Sequence, residues 1–396
     1  MNTSFFYFLF FVLTADGIMV FLTPVVVYTL TGSIEYAGMS YAIWWLPRLI
    51  LIPLVGKLID SIGVRPLSII ADMVKIVGCV FLLLFEFKDP LIVSIAFGIV
   101  GSFVSIGNSQ TIIAYEKIIA LLSQQKEHHV NLISRMDFLG MVIGPIIGML
   151  LIDIGYQYIL FIPCLLYFSN ACYFLFTKAN LSIDINESKE ITRKFSNENN
   201  TNPLGFILSV PIILGTIGVA VGNNFFDGLV ESAGTAIIDQ AMALPVKYFG
   251  FIDVAAGVCG VLGTYIYSLI SSRVSRRGLL IFGPIAIVIP SIMLVSNINS
   301  IWIFVISYSL TIIGKVITGN INRIIRIEVI PTKVLASTSS LIVLIGQLIL
   351  PVTGLLLFLF GGKPYIVSYF MMLSISITLV SGCVLYAYMG HKYIKQ

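Results

Sequence analysis

This sequence predicts an all-α membrane protein of twelve transmembrane helices, arranged as two pseudo-symmetric six-helix bundles. Three observations carry that prediction. The 396 residues are 58% hydrophobic and only 11% charged, whereas a soluble domain carries about 25% charged residues. The apolar runs reach the ~20 residues a helix needs to cross a ~30 Å hydrocarbon core. The text also repeats at an offset of about 212 residues. Gly107-Asn108-Ser109-Gln110 recurs as Gly319-Asn320-Ile321-Asn322, Glu116 falls on Glu328, and Tyr36-Ala37-Gly38 on Tyr248-Phe249-Gly250. Asp16-Gly17-Ile18-Met19 meets Asp227-Gly228-Leu229-Val230 one position out of step, and Gly140…Pro145…Gly148 meets Gly346…Pro351…Gly354.

In chain order the spans are expected near 4–30, 34–57, 66–87, 90–115, 129–152 and 156–177, then 205–236, 249–271, 279–297, 300–322, 335–360 and 365–389. The first starts at Phe5 without a basic leader or a small-residue cleavage site, so it reads as a retained helix. Residues 1–177 make one bundle and 205–396 the other. Between them, 178–204 is polar and Asn-rich, a connection rather than a span.

Lysine and arginine set the orientation. With the N-terminus inside, the inner connections hold Lys57, Arg65, Lys117, Lys126, Arg273, Arg276, Arg277, Arg323 and Arg326 among others. The outer ones hold only Lys88, Lys247 and Lys363. The expectation is a multi-pass protein of the cell membrane, of bacterial origin, with both termini and the linker cytoplasmic. Helices are the only choice, because runs of this length exceed barrel strands and lipid offers the backbone no partners.

Several function classes are excluded. A net charge of +4 does not suggest nucleic acid. Cys79, Cys164, Cys172, Cys259 and Cys383 all lie in apolar runs and read as small buried residues. His128, His129 and His391 have no second ligand at metal spacing, so no metal is expected. No phosphate-binding G-x-x-x-x-G-K-[ST] text is present. No cofactor is expected, and a proton gradient is the energy source this leaves.

Two motifs carry a resemblance. Gly56-Lys57-Leu58-Ile59-Asp60-Ser61-Ile62-Gly63-Val64-Arg65 fills the turn after span 2 and resembles the G-x-L-x-D-x-x-G-x-R signature of the major facilitator superfamily. Its arginine can pair or face the dipole of a neighbouring helix. Gly140-Met141-Val142-Ile143-Gly144-Pro145-Ile146-Ile147-Gly148 in span 5 resembles the superfamily's antiporter motif. Small residues at i and i+4 give a close-packing face, and the proline bends the helix. The second copy replaces Gly144 with Leu350. Ala15-Asp16, Tyr28 to Ser33, Leu46-Pro47-Arg48 and Ala71-Asp72 with Lys75 resemble the branch of macrolide, multidrug and siderophore exporters.

In the fold this resemblance implies, the first and fourth helices of each half line a central cavity. Here those spans carry Asp16, then Asn108 and Gln110, then Asn223, Asn224, Asp227 and Glu231, and finally Lys315, Asn320 and Asn322. Charges at mid-bilayer depth are expensive and usually functional. Asp16 and Asp227 are near repeat-equivalents and are expected to face each other across the cavity. A desolvated carboxylate holds a proton more readily, so Asp16, Asp227 and Glu231 are the candidate proton sites; the bland alternative is pairing with a neighbour. Lys315 falls on Phe103 in the repeat, so it serves either an anionic substrate or an ion pair with Asp227. Asn108, Gln110, Asn223, Asn224 and Asn320 are candidate ligand contacts or interhelical glue. Arg48 belongs either to the cavity or to a gate. Asp72, Lys75, Arg135 and Asp137 are expected to form an inner-gate charge network with the loop residues Gly56, Asp60, Gly63 and Arg65.

The expected function is export of a small organic molecule, drug-like or of siderophore type, by exchange with protons. The two halves would rock about a midplane site, and the chain would work as a monomer in the bilayer. Proton-coupled uptake of a nutrient is the alternative. A membrane enzyme should show a His-Asp or Ser-His constellation, which the three histidines do not offer.

Overall fold

The computed structural model describes residues 4–122, 126–177, 203–330, 335–363 and 365–392. Most of these are helical, with no strand among the described residues. Twelve long helices follow in order: α1 (Ser4–Thr31), α2 (Ile34–Ile62), α3 (Val64–Leu84), α4 (Pro90–Leu122), α5 (Lys126–Leu151), α6 (Tyr156–Phe176), α7 (Pro211–Ala236), α8 (Phe249–Ser271), α9 (Arg276–Ser296), α10 (Ile301–Val329), α11 (Leu335–Phe360) and α12 (Ile366–Lys392). Eleven of them are long and apolar enough to cross a membrane. The remaining one, α2, matches them in length but carries Arg48 at its middle.

Local chemistry sets the boundaries. Gly32 takes φ 62° after α1, and the Ser33 hydroxyl then accepts from the Tyr36 N–H to cap α2. Gly63 takes φ 96° between α2 and α3, a conformation that suits glycine. The seventh span, expected unbroken at 205–236, is instead divided. A seven-residue helical segment, Pro203–Ser209, stops before α7 starts at Pro211. Proline lacks the N–H to continue the ladder and disfavours helix at the residue before it. Residues 178–202 of the expected linker lie outside the described residues, as do the side chains of Asp60, Lys126, His128, Arg276, Arg277 and His391.

The two halves pack by the same plan. In the first, α1 rests on α5 and α6, α2 on α4, and α3 on α4 and α6. In the second, α7 rests on α11 and α12, α8 on α10, and α9 on α10 and α12. The halves meet through α2 against α11 and α5 against α8, contacts that the repeat exchanges for one another.

One core cluster joins both halves at the Tyr28 end, uniting Phe21, Tyr28 and Ile34 with Phe225, Phe249 and Leu357. There the backbones of Gly38 and Gly354 touch: a Cβ on Gly354 would stand 2.4 Å from the Gly38 carbonyl oxygen. The Tyr28 hydroxyl donates to Asp239 Oδ2 at 2.9 Å, and Gln240 Nε2 donates to Tyr28 at 3.1 Å. Both partners lie in a π-helical segment, Ile237–Ala241, that ends α7. An exposed ion pair, Lys247 with Asp153, spans the same seam and contributes little by itself. Further along, Phe138 of α5 lies against Gly257 and Gly260 of α8. Large apolar side chains such as Leu150, Phe161 and Trp302 point outward, as a bilayer-facing surface requires. Cys79 is buried as expected, but Cys383 is exposed on that outer surface, where an apolar run faces lipid rather than core.

Candidate functional site

Two Asp–Lys–Tyr clusters lie inside the helices, one per half. In the first half, Asp16 Oδ1 accepts from Lys75 Nζ at 2.8 Å and from the Tyr167 hydroxyl at 2.7 Å. Asp16 Oδ2 accepts from Asn108 Nδ2 at 3.1 Å. The Lys75 ammonium lies 4.7 Å above the Tyr167 ring. The side chains of Lys75 and Asp16 are 0% and 5% exposed. Gly107 makes room for the lysine, since a Cβ there would meet Lys75 Cε at 2.2 Å.

Asp16 therefore does not face Asp227 across a cavity. Its neighbour Gly17 is pinned against α5, where a Cβ would stand 2.3 Å from the Gly140 carbonyl oxygen. One residue is ~100° of helix rotation, so Asp16 turns toward α3, α4 and α6 of its own half. Lys75, expected at an inner gate, is consumed by this pair. Asn108, a candidate ligand contact, serves the same carboxylate. Gln110 is likewise buried and donates to Ser68 at 3.0 Å.

The second cluster is more open. Asp227 Oδ1 accepts from Lys315 Nζ and, at 3.0 Å, from the Tyr308 hydroxyl. The lysine and aspartate side chains are 12% and 21% exposed. The repeat-equivalents of Lys75 and Asp72 in α9 are Ile287 and Pro284, so the second half takes its cation from α10 instead. Lys315 is thus ion-paired with Asp227, one of the two roles open to it from sequence. Asn223 accepts from Thr378 at 3.3 Å, Asn224 donates to the Gly346 carbonyl at 2.7 Å, and Asn320 donates to Val316 of its own helix at 3.0 Å. Gly319, equivalent to Gly107, faces open space.

One turn beyond Asp227, Glu231 Oε2 accepts from the Tyr41 hydroxyl of α2 at 2.7 Å. This hydrogen bond crosses between the halves. Arg48, two turns along α2 from Tyr41, donates from Nη1 to Ser105 Oγ at 3.2 Å, and its guanidinium lies 4.7 Å from the Trp45 ring. It stands in electrostatic range of Asp137 and Glu231 but forms no ion pair among the described residues.

Among the described residues, the expected inner-gate network does not form as one unit. Asp72 is buried and accepts from Asn170 of α6 at 2.6 Å. Arg135 is exposed, and Asp137 interacts electrostatically with Arg48. Arg65 donates to the Leu175 carbonyl at the end of α6, the dipole contact its motif suggested. Gly140, Gly144 and Gly148 all press against α1, meeting Leu13, Gly17 and Phe21.

Sequence reasoning missed Tyr41, Tyr167, Tyr308 and Asp253. Asp253 of α8 has a buried Oδ2 without a partner and senses the Glu231 charge. The repeat offset maps Asp253 onto Tyr41, a signal that would have drawn attention to both. The described residues contain no group of three metal-ligating side chains.

The sequence profile of the Major Facilitator Superfamily matches residues 4–354. None of the curated proteins matches the chain. Among solved structures, a bacterial homologue of the iron transporter ferroportin in an outward-facing state is similar with TM-score 0.65 and 17% identity, over 99% of this chain and 100% of that one. A POT family transporter in complex with 5-aminolevulinic acid gives TM-score 0.71 and 13% identity, over 97% and 95%. A bacterial homolog of the human lysosomal transporter Spinster, inward-facing and unoccupied, gives 0.65 and 12%, over 98% and 97%. At these identities the likeness concerns the fold. The profile, the paired six-helix plan and the charged seam between the halves agree: the chain belongs to the Major Facilitator Superfamily and is a membrane transporter, not an enzyme.

Proposed function

We propose that this transporter exports a small organic molecule in exchange for inward-moving protons, with bundles 1–177 and 205–396 alternating about the seam that holds Glu231 and Asp227. One observation carries the reading: the Tyr41–Glu231 hydrogen bond ties α2 of one half to α7 of the other at 2.7 Å. A carboxylate accepts that bond strongly, and a protonated carboxyl accepts it weakly. Gaining or losing a proton at Glu231 therefore changes a contact between the halves, which is what coupling requires. Among the described residues, Asp16 bonds within its own half, so its protonation acts on the first bundle's interior. Asp227 shares the face of α7 with Glu231 at i, i+4 and supplies the charge beside it.

The resemblance of Gly140 to Gly148 to an antiporter motif supports export over uptake. The distribution of lysine and arginine supports cytoplasmic termini and puts the Tyr28 end outside. One core cluster spans both halves at that end, whereas the cluster around Tyr115 and the cluster around Ile325 each stay within one half, which supports access from the cytoplasm.

Everted membrane vesicles, acid inside, test the reading with an amphipathic fluorescent dye and a metal-free siderophore as probes. Export by antiport predicts accumulation of at least one probe in the lumen, with loss of the lumenal proton gradient on its addition. Accumulation in right-side-out vesicles under an inward proton gradient would support the symport alternative instead.

A further inference from the structure

Arg48 is the one mid-helix cation of the described transmembrane core that no carboxylate holds. Lys75 pairs with Asp16 and Lys315 with Asp227. Arg48 has only the Ser105 hydroxyl, accepting from Nη1, and the Trp45 ring. Its Nε is buried without a partner. A guanidinium carries five N–H donors in a planar fork, so most of its hydrogen-bonding capacity is idle. Leaving a charge uncompensated at this depth is expensive. The scaffold does not demand it either: the repeat-equivalent position is Gly260, which accommodates the Phe138 ring.

Glu231 is its counterpart across the seam. It accepts from Tyr41 through Oε2, and Oε1 takes no hydrogen bond from any described residue. Arg48 is on α2 and Glu231 on α7; they interact electrostatically without touching. Tyr41 and Trp45, with ring centroids 6.3 Å apart, lie on the stretch of α2 that leads to Arg48.

We propose that the transported molecule is a zwitterion with an aromatic or apolar body, its carboxylate held by Arg48 and its ammonium by Glu231. The ligand then supplies the ion pairs that the two side chains do not make with each other, and its body lies on Tyr41 and Trp45. This deepens, and rests on, the reading of a transport site between the halves. It also gives exchange a physical basis, because the ammonium occupies the place of the proton on Glu231. The titratable and charged groups around Glu231 are Tyr41 and Arg48 of α2, Asp227 of its own helix, Lys315 and Tyr308 of α10 and Asp253 of α8.

Full-length protein in detergent is titrated with phenylalanyl-phenylalanine, its C-terminal methyl ester and its N-acetyl derivative, with tryptophan fluorescence as readout. The wild type is expected to bind the zwitterion at least tenfold more tightly than either singly charged analogue. Arg48→Gln erases the preference over the ester, Glu231→Gln erases the preference over the N-acetyl form, and Arg48→Lys keeps a carboxylate preference. Elution as a single monodisperse species confirms that each variant is folded. Equal binding of the three probes, no saturable binding to the wild type, or an unchanged preference in folded Arg48→Gln overturns the assignment. The titration uses no gradient. Zwitterion binding without proton-driven flux would leave this assignment standing and remove the antiport reading; proton-driven dye flux with equal binding of the three peptide probes would do the reverse.

Discussion

Gly17 and Gly144 meet backbone to backbone: a Cβ on Gly144 would lie 2.4 Å from the carbonyl carbon of Gly17, and one on Gly17 would lie 3.5 Å from Gly144 Cα. That contact holds α1 against α5 and fixes the rotation of α1. It thereby decides that Asp16 points into the first bundle.

Gly144→Ala is therefore expected to lower stability by more than the loss of a packing glycine elsewhere. Overpacking costs about 1–3 kcal/mol, and the obstacle here is backbone rather than a flexible side chain. Gly144→Leu, which copies Leu350 of the second half, should be worse. Comparing melting temperatures with Gly346→Ala, where the nearest atom is Ala220 Cβ at 3.5 Å, isolates the effect. Equal melting temperatures for the two alanine variants would contradict it.

Asp16→Asn leaves Lys75 charged and buried without its ion-pair partner. Removing one partner of a buried pair costs about 3–5 kcal/mol, so the variant should melt early or express poorly. The double variant Asp16→Asn with Lys75→Met should recover most of that loss. Thermal unfolding in detergent checks this, and a double variant no better than the single one would deny that the pair is the cause.

Glu231→Gln keeps an acceptor for Tyr41 but cannot titrate. Gradient-driven flux is expected to fall at least tenfold at any substrate concentration, while exchange of labelled for unlabelled substrate, which needs no net proton movement, returns once substrate is raised to offset the lost ammonium contact. The pH dependence of flux should flatten in this variant. If flux keeps the wild-type pH profile, the coupling proton resides elsewhere, with Asp227 the next carboxylate to replace.

Gly319 has nothing within 4 Å of a built Cβ, whereas Gly38 meets Gly354 and Leu357 at 2.7 Å. In a background without the five native cysteines, Gly319→Cys should react readily with a membrane-impermeant maleimide applied from the cytoplasmic side. Gly38→Cys should stay protected. Substrate or a proton gradient that shifts the halves should change both rates in opposite senses. Fast labelling at Gly38 from the outer side would mean that the Tyr28 end is open.

The number of helices, their chain order and their pairing into two like halves were legible in the sequence. Apolar run length and a repeat at a fixed offset are local or one-dimensional signals, and they survive without knowledge of packing. The close face of Gly140, Gly144 and Gly148 was legible for the same reason, since small residues one turn apart can only serve close approach. The sequence also singled out Asp16, Asp227, Glu231, Lys315 and Arg48 as costly charges in an apolar setting.

It was the tertiary structure that decided their partners. Rotation of α1 by a residue or two separates a cavity-facing Asp16 from one bound to Lys75, and that angle is set by the contact with α5. The same applies to Lys315, whose pairing with Asp227 depends on how α10 lies beside α7, and to Asn108 and Gln110, which turn inward. Tyr167 and Tyr308 carried no signal, and Tyr41 carried one only through its repeat partner Asp253, because a tyrosine in a membrane helix looks like any other packing aromatic until its hydroxyl meets a carboxylate. Composition and period fixed which residues are buried in the membrane. Helix rotation, a three-dimensional quantity set by side-chain fit, fixed what each buried charge touches.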